Sequence, residues 1–234
     1  MLLDVRIKEA GYQQASSVIK HIHFSVRRGE LVGLIGPNGA GKSTTIKTIL
    51  GIMKHVKGTI HAQDFAYIPE RPIFYDRLTL WEHIEFLFST LALNEKDLQQ
   101  QAEELLKIFQ LSHVIHQFPE SFSKGMQQKC MLILAFLKKP DLYIIDEPFM
   151  GLDPKATKRL LDLLKREQDR GAGILMSTHV LDTAEKVCDR FVLLSNGQLV
   201  LQGTLDEIRV DSGLEDGSLF DCFDVCTERD IYVS

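Results

Sequence analysis

The chain has 234 residues, 44% of them hydrophobic and 25% charged, with a net charge of −5. That size and apolar content suit one large domain, or one domain with a lobed insert, around an ample core. The acidic balance argues against a dedicated nucleic-acid binder, which is ordinarily basic.

In chain order, LLDVRI alternates and reads as a strand, and a second run, IHFSV, ends at the charged turn Arg27-Arg28-Gly29-Glu30. LVGLIG is a short buried strand, followed by a glycine-rich loop and a helical stretch, STTIKTILGI. Short strands are expected at Gly58-Thr59-Ile60 and Phe65–Ile68. Thr79 and Glu82 have capping-box spacing ahead of the helix LWEHIEFLFSTLAL. Leu98, Ala102, Leu105, Leu106 and Phe109 recur at helical spacing over roughly 95–110. A third helix opens at FSKG and stops at Lys139, ahead of Pro140. These three make an all-helical insert.

Strand and helix then alternate: LYIIDE, a helix over about 154–170, GILMST, a short helix near 182–188, and FVLLS. Asn196-Gly197 is a hairpin turn joining FVLLS to QLVLQG. Thr204 and Glu207 predict one more capped helix, and beyond Asp211 the acidic sequence carries no readable pattern. The longest apolar run, CMLILAFL, is far short of the roughly 20 residues a membrane-spanning helix needs. MLLDVRIKEAGY turns charged too early for a signal peptide, so the chain is not expected to cross a membrane by itself. Cys130, Cys188, Cys222 and Cys226 read as reduced cytosolic thiols, and the CxxxC pair lacks the second pair a metal site needs.

GPNGAGKST, Gly36 to Thr44, follows a buried strand and opens a helix, the context of a phosphate-binding loop. Backbone N–H groups of Gly36, Pro37, Asn38, Gly39, Ala40 and Gly41, as far as each residue has one, would wrap the phosphates, and the helix N-terminus adds about half a positive charge. Lys42 is suited to neutralise the β- and γ-phosphates, and Ser43, next to Thr44, to hold Mg²⁺. In LYIIDEP, Asp146 is suited to Mg²⁺ through water and Glu147 to activate an attacking water as general base. His179 ends another apolar strand, where it could orient that water at the γ-phosphate. His21 and His23 share a strand without a third metal ligand and read as half-exposed strand positions. FSKGMQQK offers a second small turn at a helix start, with Ser123 as cap and Gly125 allowing close approach to the backbone.

Five ordered motifs over residues 1 to about 210 resemble the ATP-binding-cassette (ABC) ATPase family: GPNGAGKST the Walker A, LYIIDEP the Walker B, GLDP the D-loop, Ser177-Thr178-His179 the switch histidine, and FSKGM the signature. The resemblance implies an α/β P-loop NTPase (RecA-like) core with an N-terminal antiparallel β-subdomain, a helical subdomain inserted at about 70–138, and a C-terminal tail over 211–234. It implies ATP and Mg²⁺ as ligands, Tyr12 stacked on adenine, and Asp153 at a dimer seam. In such a family two ATPase subunits, identical or paralogous, pack head to tail, so that Ser123 and Gly125 of one reach the nucleotide of the other. The signature here carries Lys124 and Met126 where the family usually has Gly and Gln, and Glu70 stands at the Q-loop position as a further Mg²⁺-side carboxylate.

YIPExPxxYDxLTLxEH, with FSKGM and YIIDEPFxGLDP, resembles the Ecs-type and related ABC-2-like bacterial exporter ATPases. That implies an integral-membrane permease partner docked near Arg71–Tyr75, and a cytoplasmic location on the inner face of the cell membrane. The alternatives are a soluble ABC ATPase acting on ribosomes or DNA, and a P-loop kinase or GTPase. The former usually carries two cassettes or a long insert, and the latter leaves signature, D-loop and switch histidine unexplained.

Overall fold

Alternation shapes the N-terminal hairpin: Leu3, Val5 and Ile7 are buried while Arg6 and Lys8 face solvent. Strand β1 (Leu3–Gln13) pairs antiparallel with β2 (Ser16–Val26), and both run well beyond the short predicted stretches. In β2 the alternation slips at His21, whose φ is +53°, so that Ile19 and Ile22 are both buried while His21 and His23 are exposed. The structure, a computed structural model, describes residues 1–13, 16–91 and 95–231.

The LVGLI run forms β3 (Leu31–Ile35), buried along its whole length, and feeds helix α1 (Lys42–Ile49). Next come β4 (His55–Ala62), almost wholly exposed, and β5 (Phe65–Ile68). Helix α2 (Leu80–Thr90) starts at the predicted Thr79/Glu82 capping box. Its expected last residues, Ala92 and Leu93, lie outside the described residues. Helices α3 (Glu95–Phe109) and α4 (Lys124–Lys138) complete the helical insert, α4 ending at Lys139 in the left-handed conformation just before Pro140. The remaining elements are β6 (Leu142–Asp146), α5 (Pro154–Arg170), β7 (Gly173–Thr178), α6 (Leu181–Val187), β8 (Arg190–Ser195) and β9 (Gln198–Gly203). Two C-terminal helices follow, α7 (Leu205–Ser212) with its own capping box and α8 (Leu219–Ile231), which the sequence pattern did not reveal.

Among the described residues nine strands make one sheet, ordered β4-β1-β2-β9-β8-β3-β7-β6-β5. The antiparallel wing β4-β1-β2 is therefore continuous with the core, although a single registered parallel pair, Lys20 with Gln198, makes the join. Strands β8, β3, β7, β6 and β5 run parallel, and fully apolar strands of this kind need cover on both faces. One face packs under α3, α4 and α5 through Ile133, Phe136, Tyr143, Leu160 and Phe109. The other is covered by α1 and the wing through Ile46, Ile49, Ile19 and Val5.

Parallel pairing has a functional consequence: β3, β7, β6 and β5 end at one edge of the sheet. Ile35 is level with Thr178, Asp146 with Ser177 and Ile68 with Ile145. The loops that follow carry every strand-end motif to the same place, the usual ligand crevice of an open α/β sheet.

Candidate functional site

At that edge lies a cleft of ≈ 400 Å³ lined by Asn38, Gly39, Gly41, Lys42, Ser43, Thr44, Glu70, Glu147 and His179, with Val18 and Met150 at its sides. Helix α1 starts here at Gly41, whose φ of +103° only glycine adopts freely, and no side chain caps it. Helices α2, α4, α5 and α7 all carry a side-chain cap. The free N–H groups of α1 therefore face the cleft as an uncapped anion site.

Lys42 is buried, and its Nζ donates to the carbonyls of Gly36 at 2.7 Å and Pro37 at 3.2 Å. It also lies 3.7 Å from one Glu147 carboxylate oxygen, while the other is 3.0 Å from Nδ1 of His179. Glu147 adopts φ +49°, an uncommon conformation for a residue with a side chain, and two contacts hold it there. Its N–H donates to the Ser177 carbonyl at 3.2 Å and to Ser177 Oγ at 3.1 Å.

The Ser177 hydroxyl in turn donates to the Asp146 carboxylate. Burial raises the Asp146 pKa above its ordinary value and the nearby Glu70 adds to this, against the hydrogen bonds from Ser177 and Ser43. A buried carboxylate bonded to Ser43 and crowded by a second acid fits a divalent cation, which would relieve both effects. Tyr67, beneath them, is pushed up to about 12 by its own burial and by the charges of Asp146 and Glu70.

Of the other predicted site residues, Gly36, Pro37, Ala40 and Asp146 adjoin the cleft without lining it, whereas Tyr12, Ser123 and Gly125 lie elsewhere. Tyr12 is the last residue but one of β1, exposed, with Lys47 Nζ 5.9 Å from its ring centroid. Ser123 caps α4 by accepting from the Met126 N–H at 3.3 Å, which leaves its own proton free to donate. Gly125 has a reason within the chain for lacking a side chain: a Cβ there would sit 2.4 Å from the Gly151 carbonyl oxygen. The same two segments are tied by Lys129 Nζ to Asp153 Oδ2 at 2.8 Å. That bond, with the Ala156 N–H on Oδ1, holds Asp153 down at about 2. Lys124 is exposed, and Met126 packs partly into the core.

The segment Arg71–Tyr75 presents Ile73 and Tyr75 to solvent. Behind them His83, buried in α2, accepts from the Tyr75 N–H at Nε2 (3.0 Å) and contacts the Thr79 carbonyl at Nδ1 (2.8 Å), so Nδ1 carries the proton. Phe74 meets the same imidazole edge-to-face at 5.5 Å. The sequence reading missed His83, Lys129 and the double bond of Ser177. The first had a usable signal, since an imidazole four residues after Thr79 on a helix reaches back to its carbonyl.

A family model described as "ABC transporter" matches residues 19–150. The chain belongs to the ABC transporter family. It is similar at 57% identity, over 95% of both chains, to the "Uncharacterized ABC transporter ATP-binding protein YthP" of Bacillus subtilis. It is 43% identical, over 98% of both, to the "ABC-type transporter ATP-binding protein EcsA" of the same organism, in keeping with the Ecs-type resemblance. A solved "Structure of ATP binding subunit of ABC transporter" superposes with a TM-score of 0.92 at 45% identity, covering 97% of this chain and all of that one. The fold is thus the mixed α/β ABC ATPase fold, and the chain is an ATP-binding subunit of an ABC transporter. Among its described residues no helix is long and apolar enough to cross a membrane.

Proposed function

We propose that the chain hydrolyses ATP to drive a separate membrane permease, working as one of two ATPase subunits that close head to tail. The observation that carries this reading is the convergence of Lys42, Glu147 and His179 on one cleft beside the uncapped start of α1, with buried Asp146 joined to it through Ser43. Lys42 and the N–H groups of Gly36–Thr44 bind the phosphates. Ser43 and Asp146, with Glu70 beside them, would hold Mg²⁺, which supplies charge neutralisation on the phosphates. Glu147 takes the proton of the attacking water, and His179 fixes the Glu147 carboxylate and reaches toward the γ-phosphate. Tyr12 stacks on adenine at the wing. The Ser123 hydroxyl and the backbone at Gly125 complete the site of a second subunit, identical or paralogous.

Ile73 and Tyr75, exposed on a segment pinned by His83, form the surface for the permease. That partner places the subunit on the cytoplasmic face of the cell membrane. An exporter role follows the Ecs-type motif pattern. Glu147→Gln is the decisive test: ATP binding is retained, turnover falls by about 10²–10⁴-fold, and the closed dimer accumulates on size-exclusion chromatography. Turnover at the parental rate removes Glu147 from the role of base.

A further inference from the structure

The turn Asn196-Gly197, between β8 and β9, lies far in sequence from the phosphate loop and yet touches it. Gly197 N–H donates to the Ala40 carbonyl at 3.1 Å, inside the phosphate loop. Its own carbonyl accepts from the Lys20 N–H at 2.8 Å, in β2 of the wing. One residue thus bridges the two parts of the nucleotide site through its two successive peptide units, at the junction where Lys20 and Gln198 form the registered pair joining wing to core.

The fit leaves no space. A Cβ on Gly197, at φ +77°, would sit 2.1 Å from the Val18 carbonyl oxygen and 3.4 Å from the Ile19 Cα, both backbone atoms unable to swing away. The opposing surface is as tight: a Cβ on Gly41 would meet Ile19 Cγ2 at 2.8 Å and the Gly197 Cα at 3.3 Å. Val18, whose carbonyl stands over Gly197, also lines the nucleotide cleft. The hairpin turn is a wedge whose thickness sets the distance between wing and phosphate loop.

We propose that Gly197 is a positioning residue for nucleotide binding, fixing the phosphate loop at Ala40–Gly41 against the wing that carries Tyr12 and Val18. The inference rests on the reading of Gly36–Thr44 as the phosphate site. A side chain at 197 forces wing and loop apart. Adenine contacts and phosphate contacts can then no longer be made by one ligand at once, and each phosphate bond lost costs roughly tenfold or more in affinity.

The test is the dependence of affinity on phosphate-chain length. Fluorescent-labelled ATP, ADP and AMP are titrated into the native chain, Gly197→Ala and Asn196→Gly. Asn196 is itself at φ +49°, so glycine keeps the turn without adding an atom. The native chain and Asn196→Gly are expected to prefer ATP strongly over AMP. In Gly197→Ala the ATP affinity falls roughly tenfold to a hundredfold, while AMP affinity changes little, so the preference collapses. Should that variant not fold, Lys20→Pro removes the donor to the Gly197 carbonyl and is read the same way. Unchanged ATP affinity, or equal losses for ATP and AMP as a general structural defect would give, overturns the positioning role. A native chain that does not distinguish ATP from AMP overturns the phosphate-loop reading instead, so the two failures are separable.

Discussion

Gly125→Ala tests how the signature turn is held. The new methyl would lie 2.4 Å from the Gly151 carbonyl oxygen, well inside contact distance, and the obstructing atom is backbone. Either the start of α4 or the loop at Gly151–Asp153 must therefore move by the better part of an ångström. Overpacking of this kind costs about 1–3 kcal/mol. Loosening the exposed Lys129–Asp153 pair adds about 0.2–1 kcal/mol at most. For a chain of this length 1 kcal/mol corresponds to roughly 2–4 °C. Thermal unfolding is thus expected about 2–16 °C below the parent. Lys124→Ala, one residue earlier and exposed, stays within roughly 0.5 kcal/mol of it. Placed in the Glu147→Gln background, Gly125→Ala also impairs ATP-driven dimerisation on size-exclusion chromatography, because both displaced segments belong to the proposed seam. A Gly125→Ala protein that melts and dimerises like its parent refutes the reasoning.

Lys42→Ala leaves the buried Glu147 with only His179 beside it and lowers stability by about 1–3 kcal/mol. Adding Glu147→Gln recovers most of that loss, which denaturant melts of the single and double variants measure. Gln128 is buried with its Nε2 unpartnered among the described residues, so Gln128→Met is expected to raise the unfolding midpoint by the equivalent of about 1–3 kcal/mol. Asp153 has a folded pKa near 2 against an ordinary 3.8, so its contribution is complete above pH 4 and disappears as pH falls through 2. The stability gap between the native chain and Asp153→Ala therefore narrows across that window, as urea melts at successive pH values would record. Burial pushes the Cys130 thiol up to about 12, so iodoacetamide at pH 8 does not label it until denaturant is added.

Short-range chemistry was legible in the sequence. The capping boxes at Thr79/Glu82 and Thr204/Glu207 and the stop before Pro140 depend on neighbours three or four residues away, and all appear in the structure. The apolar strands were equally plain, because burial on both faces leaves a continuous run rather than an alternation. Strand β4 was underestimated because, at the sheet edge and nearly all exposed, it has no buried face to impose a pattern. Among the residues of α8 whose burial is described, only Leu219 and Cys222 are fully buried, against α6 and α7, and the acidic surface hid that stripe. Its start did carry a signal, since Ser218 and Asp221 exchange backbone bonds across a Ser-x-x-Asp spacing. The contacts of Ser177 with Asp146 and Glu147 were invisible for another reason: strand register, not local sequence, sets residues 31 apart side by side.

The same division explains where this chain departs from the usual family motif. Lys124 and Glu70 are exposed, and Met126 turns partly into the core, so at each of these positions the geometry admits a different side chain. Gly125 and Gly197 have backbone carbonyls of distant segments standing where a Cβ would be. Room on one side and backbone on the other separate the two groups. On this argument Lys124 and Glu70 can tune how strongly the site attracts phosphate and cation, since a charge there acts through the cleft's field without moving its walls. The walls themselves depend on positions with no latitude. Glu70→Gln is accordingly expected to change the cation concentration needed for nucleotide binding while leaving the unfolding temperature of the nucleotide-free chain unchanged. A shift in that temperature as large as the one expected for Gly125→Ala would place Glu70 among the walls instead.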